Sequence, residues 1–565
     1  MVTTAMEPQT KRIKVDSGTI PPIPAADIKF THTSVQEEPE ATRERLIDLL
    51  PAEQLLRELL LECAQHFPGL EIWITGGWVR DRLLGIPSSD LDFALSNVTG
   101  RKFGEFLQDL STKPDIQVKY RQKAAKLGIP YAGFTRFHMM EQNEKKVKKL
   151  ETAGGRLLGL DIDLVNLRKE VYDGHSRTPE MEFGTPEEDA FRRDATINSL
   201  FFHLERQEVV DLTGRGLKDL EAEIMTTPLD PRQTFMDDPL RVLRLIRIGS
   251  KLGFAIDPQA MRSMRDKDVQ QALDTIITRD RISIELFKMM RGSNPVAAFQ
   301  HLFEANLCTP VFIRLDSPLQ QALEAQFPTL GLSTSSPWPA TWPRVSMLLD
   351  RLLKDDSILG KMIQYEAKAD HLWTMAAYTP FAGLRQAMLR QTVEATMAIR
   401  APVKISKLLE SALKNFDSIR TIVNTVASPS GKPPPRSLVG MAIRSWGAAW
   451  TTQVTYVMLA EAVSAAQKSS SPVSLGSSPS LDEPLLARYS AFAGFVYDNG
   501  LRDAHLQRPL LNGNEMQGIF GLQKGGKFLK TALDGLLAWQ FDHAEGGIED
   551  AKTWLLDGRE RLGIP

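Results

Sequence analysis

Hydrophobic and polar positions alternate with a period of two across Asp90-Leu91-Asp92-Phe93 and again across Leu160-Asp161-Ile162-Asp163-Leu164-Val165-Asn166-Leu167-Arg168. That is the period of a strand, whose successive side chains point to opposite faces. The short apolar run Glu71-Ile72-Trp73-Ile74 predicts another strand. Gly76 and Gly77 end it, and Val79 to Leu84 opens a helix, so the local order is strand, turn, helix, strand. From Asp211 to Gly292 the pattern turns helical, and the rest of the chain reads as all-helical. Interruptions fall at Ser333 to Trp342, Ala427 to Ser437 and Lys468 to Pro484, the last Ser-rich. The first 40 or so residues show little periodicity and are expected to be disordered. The division that follows is a segment 1–44, an α/β head over 45–213, a helical neck over 214–292, and an all-helical body and tail over 293–565.

Chemistry gathers around the first strands. Gly76 and Gly77 lack Cβ atoms, so the backbone there can come close to a bound group. The free N–H groups of the following helix favour phosphate. Arg80, in its first turn, can fork onto phosphate oxygens. Asp90 and Asp92 share one strand face. Two carboxylates that close repel each other unless a cation sits between them, and hard oxygen ligands suit Mg²⁺ bridging to a triphosphate. A Gly-Gly pair alone is a common turn, and Asp-x-Asp alone is a common solvated edge. Their order along the chain is what points to nucleotidyl transfer.

Thr75-Gly76-Gly77, twelve residues, then Asp90-Leu91-Asp92 resembles the signature of the DNA polymerase beta superfamily of nucleotidyltransferases. The string through Gly85 is similar to one branch, the tRNA CCA-adding enzymes and bacterial poly(A) polymerases. The resemblance implies a polymerase beta-like mixed sheet with helices, followed by an all-α neck, body and tail. It also implies two Mg²⁺ ions held by Asp90 and Asp92, and CTP, ATP and tRNA as substrates.

A second motif, Phe191-Arg192-Arg193-Asp194-Ala195-Thr196-Ile197-Asn198, follows Thr185-Pro186-Glu187-Glu188. Threonine cap, proline at the first position and glutamate at the capping-box position predict a helix start. On that helix Asp194 and Asn198 would lie one turn apart. The residues match the family's Arg-Arg-Asp-x-x-x-Asn pattern. The resemblance implies that Arg193, Asp194 and Asn198 contact the ribose 2′-hydroxyl and the triphosphate.

The third motif is Asp237-Asp238-Pro239-Leu240-Arg241-Val242-Leu243-Arg244-Leu245-Ile246-Arg247. Asp238 and Pro239 form a plain helix start, and the apolar residues between the arginines form a core stripe. The resemblance adds a role for Asp238 and Arg241 as a protein template for the incoming base. Cytosine and adenine both present an amino group beside an unprotonated ring nitrogen. A carboxylate accepts from the first and a guanidinium donates to the second. Uracil and guanine invert that edge. Arg244 and Arg247 would face the triphosphate, as the resemblance implies.

Asp161 and Asp163 also share a face, which reads either as a solvated strand or as a third acidic group, with Asp163 the choice for the latter. Arg281 and Glu285, in Thr278-Arg279-Asp280-Arg281-Ile282-Ser283-Ile284-Glu285, are one turn apart and are expected to pair as a brace. Lys119 to Gly155 carries many lysines and arginines and reads as a loop or flap. Near the end, Lys524, Lys527 and Lys530 follow a glycine turn in a stretch that looks like the tail of eukaryotic CCA-adding enzymes. They could hold an RNA backbone or form a solvated face.

The formal net charge of −2 over 565 residues excludes a chain that grips nucleic acid by bulk charge, so RNA contacts need a local basic surface. Cys63 and Cys308 are the only cysteines, too few for a disulfide framework or a cysteine zinc site. No apolar stretch is long enough to span a bilayer, so no membrane partner is expected. Lys11-Arg12-Ile13-Lys14-Val15-Asp16 resembles a short nuclear import signal. The expected compartments are cytoplasm and nucleus, with a mitochondrial share, and the expected state is a monomer. The reading is template-independent addition of CCA to tRNA. A poly(A) polymerase of the same branch and an inactive tRNA-binding protein are the alternatives.

Overall fold

The computed structural model describes residues 47–131, 133, 138–140, 152–171, 180–315, 317–324, 338–365, 368–428, 433–468, 483–526 and 528–564. The expectations for residues 1–44, including Lys11–Asp16, lie outside them, as do Lys527 and most of Lys468 to Pro484. The described residues fall into two compact units. The first holds residues up to 140, 152–166 and 201–210, and the second holds 167–200 and everything from 211 onward.

The first unit is built on a seven-stranded sheet. Its strands are β1 (Ile72–Thr75), β2 (Asp90–Leu95), β3 (His138–Met140), β4 (Thr152–Leu157) and β5 (Leu160–Asn166). Between β5 and the last two strands the chain forms the hairpin β6 (Arg168–Val171) and β7 (Glu180–Phe183), which belongs to the second unit. The sheet is completed by β8 (Leu200–His203) and β9 (Glu208–Asp211), in the order β3-β4-β5-β2-β1-β8-β9. β2 and β5 run parallel, while β1–β2, β1–β8, β3–β4 and β4–β5 are antiparallel, so the sheet is mixed as expected. Parallel neighbours need a long crossover. Here it contains α3 (Gly100–Thr112) and α4 (Pro114–Lys126), which follow α1 (Pro51–Ala64) and α2 (Gly77–Leu83).

α4 corrects the start of the expected flap, of which residues 132, 134–137 and 141–151 lie outside the described residues. Residues 119–126 are helical, with Ile116, Tyr120 and Ala124 buried at four-residue spacing. Lys119 pairs with Glu62 of α1 at 2.7 Å, and Lys123 pairs with Glu58. The lysines anchor one helix to another. Their density obscured a narrow apolar stripe that suffices once α1 lies beside it.

The second unit is helical apart from short strands. It opens with α5 (Pro186–Phe191), α6 (Gly216–Glu221), α7 (Pro231–Asp237) and α8 (Leu240–Leu252). α9 (Pro258–Met264), α10 (Lys267–Ile276), α11 (Arg279–Met290) and α12 (Pro295–Glu304) follow, then helices to the C-terminus. An aromatic cluster of Phe299, Phe312, Trp338, Trp342 and Trp373 anchors the middle. The Trp338 and Trp342 indoles donate to the carbonyls of Ala377 and Ala376. The described end of the expected Ser333–Trp342 interruption is therefore core. Among the described residues no helix is long and apolar enough to cross a membrane.

Candidate active site

In the first unit, the glycine turn follows β1. Gly76 has φ +73° and ψ −139°, a conformation open essentially to glycine. A Cβ on Gly77 would stand 3.3 Å from the Arg80 guanidinium, which folds back over the turn. Arg80 is buried and donates to Asp81 Oδ1 from Nε at 2.8 Å and Nη2 at 2.6 Å. The guanidinium is thus turned to the adjacent buried carboxylate. Glu53, also buried, accepts from the Trp78 indole at 3.0 Å and pairs with Arg82, fixing α2 against α1.

The acidic face comes next. On β2, Asp90 and Asp92 are exposed while Leu91 and Phe93 are buried. On β5, Asp161 and Asp163 are exposed while Ile162 and Leu164 are buried. The parallel register sets Asp90 opposite Asp161 and Asp92 opposite Asp163. Opposed residues of neighbouring strands share a face, so four carboxylates stand on one side of the sheet. Burial, then the charges of Asp90 and Asp161, raise the Asp163 carboxyl above the usual range. Asp161 has Arg156 Nε 3.7 Å away. Opposite Asp163 on β4 is Gly154, where a Cβ would lie 2.4 Å from Asp163 Oδ1. The missing side chain is the space the carboxylate occupies.

These donors fit a hard divalent cation. Among the described residues no three His, Cys, Asp or Glu side chains converge tightly enough to hold a metal alone. Mg²⁺ takes one or two carboxylates and completes its shell with water and substrate phosphates.

The second unit carries the arginine-rich constellation. The helix started by Thr185 and its capping box stops at Phe191, and Ala195 is extended, at φ −146° and ψ 146°. Asp194 and Asn198 therefore do not share that helix, contrary to expectation. The chain leaves it to enter β8, with the Thr196 N–H donating to the Thr226 carbonyl at 3.0 Å. The two side chains still meet, Asn198 Nδ2 donating to Asp194 Oδ1 at 3.0 Å.

Asp194 is buried and receives Arg244 Nε at 2.7 Å. Burial works to raise its carboxyl, but Arg244, the Asn198 hydrogen bond and the Arg241 charge hold it at about 2. Arg193 donates twice to Asp189 Oδ2, at 3.0 and 2.7 Å, and Arg192 grips the other oxygen. Asp189 is fully buried and its carboxyl is held low by those arginines against its own desolvation.

Asp238 joins α7 to α8 and accepts from the Leu240 N–H at 3.2 Å. The buried Arg241 donates to the Arg192 carbonyl at 2.7 Å and the Thr234 carbonyl at 3.3 Å. Arg281 and Glu285 do not pair with each other, contrary to expectation. Arg281 reaches Asp238 at 3.1 Å, and the buried Glu285 accepts from Arg247 Nε at 2.5 Å. Both still brace α11, Glu285 to α8 and Arg281 to the α7–α8 junction. Arg247 is thereby turned to Glu285, and Arg244 to Asp194. The sequence reading missed Asp189 and Glu53. Asp189 left a signal, its place three and four residues before Arg192 and Arg193.

Residues 72–226 match the family model of the poly A polymerase head domain, and 253–318 match a probable RNA and SrmB-binding site of polymerase A. The chain is 33% identical to nucleotidyltransferase lcsQ of Purpureocillium lilacinum, over 92% of its own length and 94% of the relative's. It is 32% identical to the mitochondrial CCA tRNA nucleotidyltransferase of Saccharomyces cerevisiae, over 86% of its own length and 88% of the relative's. The chain belongs to the family of eukaryotic CCA-adding nucleotidyltransferases. A Thermotoga maritima CCA-adding enzyme complexed with tRNA superimposes with a TM-score of 0.59, covering 91% of this chain and 98% of that one. At 16% identity this bears on the fold alone. Family membership makes the chain a nucleotidyltransferase, with the α/β head and helical remainder that the sequence pattern indicated.

Proposed function

We propose that this protein adds C, C and A to the 3′ end of tRNA from CTP and ATP without a nucleic-acid template. The observation that carries the reading is the β2–β5 register, which opposes Asp90 to Asp161 and Asp92 to Asp163 on one face. The tRNA 3′-hydroxyl attacks the α-phosphate. A new phosphorus–oxygen bond forms there, the α–β bridging bond breaks, and pyrophosphate leaves. Asp90 and Asp92, with Asp163 beside them, would hold two Mg²⁺ ions. Ions bound there lower the pKa of the attacking hydroxyl and screen the leaving pyrophosphate.

Gly76 and Gly77 let the backbone approach the triphosphate, and Arg80 would exchange Asp81 for its phosphate oxygens. Asp238 and Arg241 read the base edge, and each would share or exchange its present partner, Arg281 or a backbone carbonyl, to do so. A bidentate reader discriminates by about 1–3 kcal/mol, and a polar pair left unsatisfied by the wrong base raises rejection further. Arg193, Asp194 and Asn198 serve the ribose and triphosphate, and Arg244 and Arg247, further along α8 from Arg241, serve the triphosphate. Lys524, before the Phe528–Asp542 helix, and Lys530, on it, are both exposed and serve the RNA backbone. The mitochondrial relative supports a mitochondrial share for this protein, beside a cytoplasmic share and the nuclear share read from Lys11–Asp16.

The test is extension of labelled tRNA lacking its last three nucleotides, resolved at single-nucleotide length. CTP alone should add two residues, and CTP with ATP should add three and stop. A long ladder from ATP alone would make the protein a poly(A) polymerase instead, and no extension would leave only tRNA binding.

A further inference from the structure

The helical unit contains a cavity of about 310 Å³ that none of the residues discussed above as chemical groups lines. It lies at the start of α11, where Arg279 enters it, with Arg314 from the turn after Phe312 and Arg400 from the turn before the Val403–Lys414 helix. Leu319 and Met397 give it apolar walls, and Gln391 adds an amide. Its volume is at the lower end of small-ligand pockets, which run from ~300 to 1,000 Å³.

Three arginines line this one small cavity, and the Arg279 guanidinium also donates to the Pro310 carbonyl at 2.7 Å. The acids nearby answer part of that charge from outside the cavity. Asp274 is buried behind it and pairs with Arg279, with Arg314 Nε 3.6 Å away. Asp280 lies 3.5 Å from Arg400 Nε on the exposed side. Among the described residues Glu394 is the one acid in the lining, and Arg390 donates to it at 2.7 Å. Burial, and then the charge of Arg314, push the Arg279 guanidinium down from its usual range.

The backbone gives a second indication. Arg314 sits at φ +70° and Arg400 at φ +47°. Non-glycine residues in that region carry backbone strain, and such strain gathers at ligand clamps. Two of the three arginines are thus held in conformations that a glycine would adopt freely, and both line the same cavity.

We propose that this cavity binds a free mononucleotide, separately from the transfer substrates. Its phosphate lies among Arg279, Arg314 and Arg400. The base lies against Leu319 and Met397, with the Gln391 amide at its edge. Arginine's planar fork suits phosphate oxygens, and the apolar walls distinguish a nucleotide from a bare phosphate.

The test is equilibrium binding of labelled AMP to the full-length protein in EDTA, which suppresses metal-dependent binding at the acidic strands. The Asp90→Ala protein is measured alongside. The key variant is Arg314→Gly with Arg400→Gly, which removes both guanidinium groups yet accepts positive φ. Saturable binding that persists in Asp90→Ala and falls about tenfold or more in the double variant is expected, as for loss of charged hydrogen bonds. Incorporation of CTP into tRNA by the double variant is followed in parallel, to show that it is folded and that the transfer site is intact. Absence of saturable AMP binding, or binding equal in the double variant, overturns the proposal. So does binding of inorganic phosphate without AMP, or displacement of AMP by a short 5′-phosphorylated RNA, which would assign the cavity to an RNA end.

Discussion

Gly154→Ala separates the chemistry of the acidic face from its stability. Gly154 lies on β4 directly opposite Asp163, and an added Cβ would come within 2.4 Å of Asp163 Oδ1. Ordinary contact begins at 3.4 Å, so the carboxylate must move by 3.4 − 2.4 = 1.0 Å. The next atom met, the Ile162 carbonyl oxygen at 3.6 Å, already has room. Only the end of a polar side chain therefore yields, and the backbone stays. Replacing a strand glycine by alanine at a compatible conformation stabilises by ~0.4–1 kcal/mol through the unfolded chain. A misplacement of about 1 Å in a reacting constellation can cost ~10²-fold in rate. The expected result is an unchanged or slightly raised denaturation midpoint with single-turnover CTP incorporation about a hundredfold slower. Asp163→Ala should be similarly impaired, and adding Gly154→Ala to it should change little further. If Gly154→Ala transfers CMP at the normal rate, Asp163 has no part in the chemistry.

Other outcomes follow from the same geometry. Asp90→Ala should abolish incorporation of both nucleotides while tRNA retention in a filter assay stays near normal, and turnover in that variant would remove the metal assignment. Replacing Arg241 should relax base choice more than it slows transfer, read as misincorporation of UTP and GTP, though loss of its bonds to the Arg192 and Thr234 carbonyls should also lower stability. Asp194 is depressed from 3.8 to about 2, a shift equivalent to about 2 kcal/mol. Because the folded value is the lower one, that stability is present above pH 4 and is lost as pH falls through 2. Asp194→Asn should therefore have a lower urea midpoint at neutral pH, with the gap to the unmodified protein closing between pH 4 and 2; a gap independent of pH would refute the charge pairing.

The amino-acid sequence by itself determined what depends on neighbours along the chain. Alternation placed Asp90 and Asp92 on one face and Asp161 with Asp163 on another strand's face, because strand periodicity is local. The glycine turn, the capping box at Thr185 and the apolar stripe of α8 were legible for the same reason. Only the tertiary structure decided that β2 and β5 are parallel neighbours in the register that opposes the two acidic pairs. It decided that the Thr185 helix ends before Asp194, and that the lysines after residue 119 belong to a helix packed on α1. It also chose the arginines' partners: Arg244 with Asp194, Arg247 with Glu285 and Arg281 with Asp238, across separations of 50, 38 and 43 residues. No repeat in the sequence encodes such pairs. A charged side chain takes the acceptor that packing brings within reach, and packing is settled by burial summed over the whole fold.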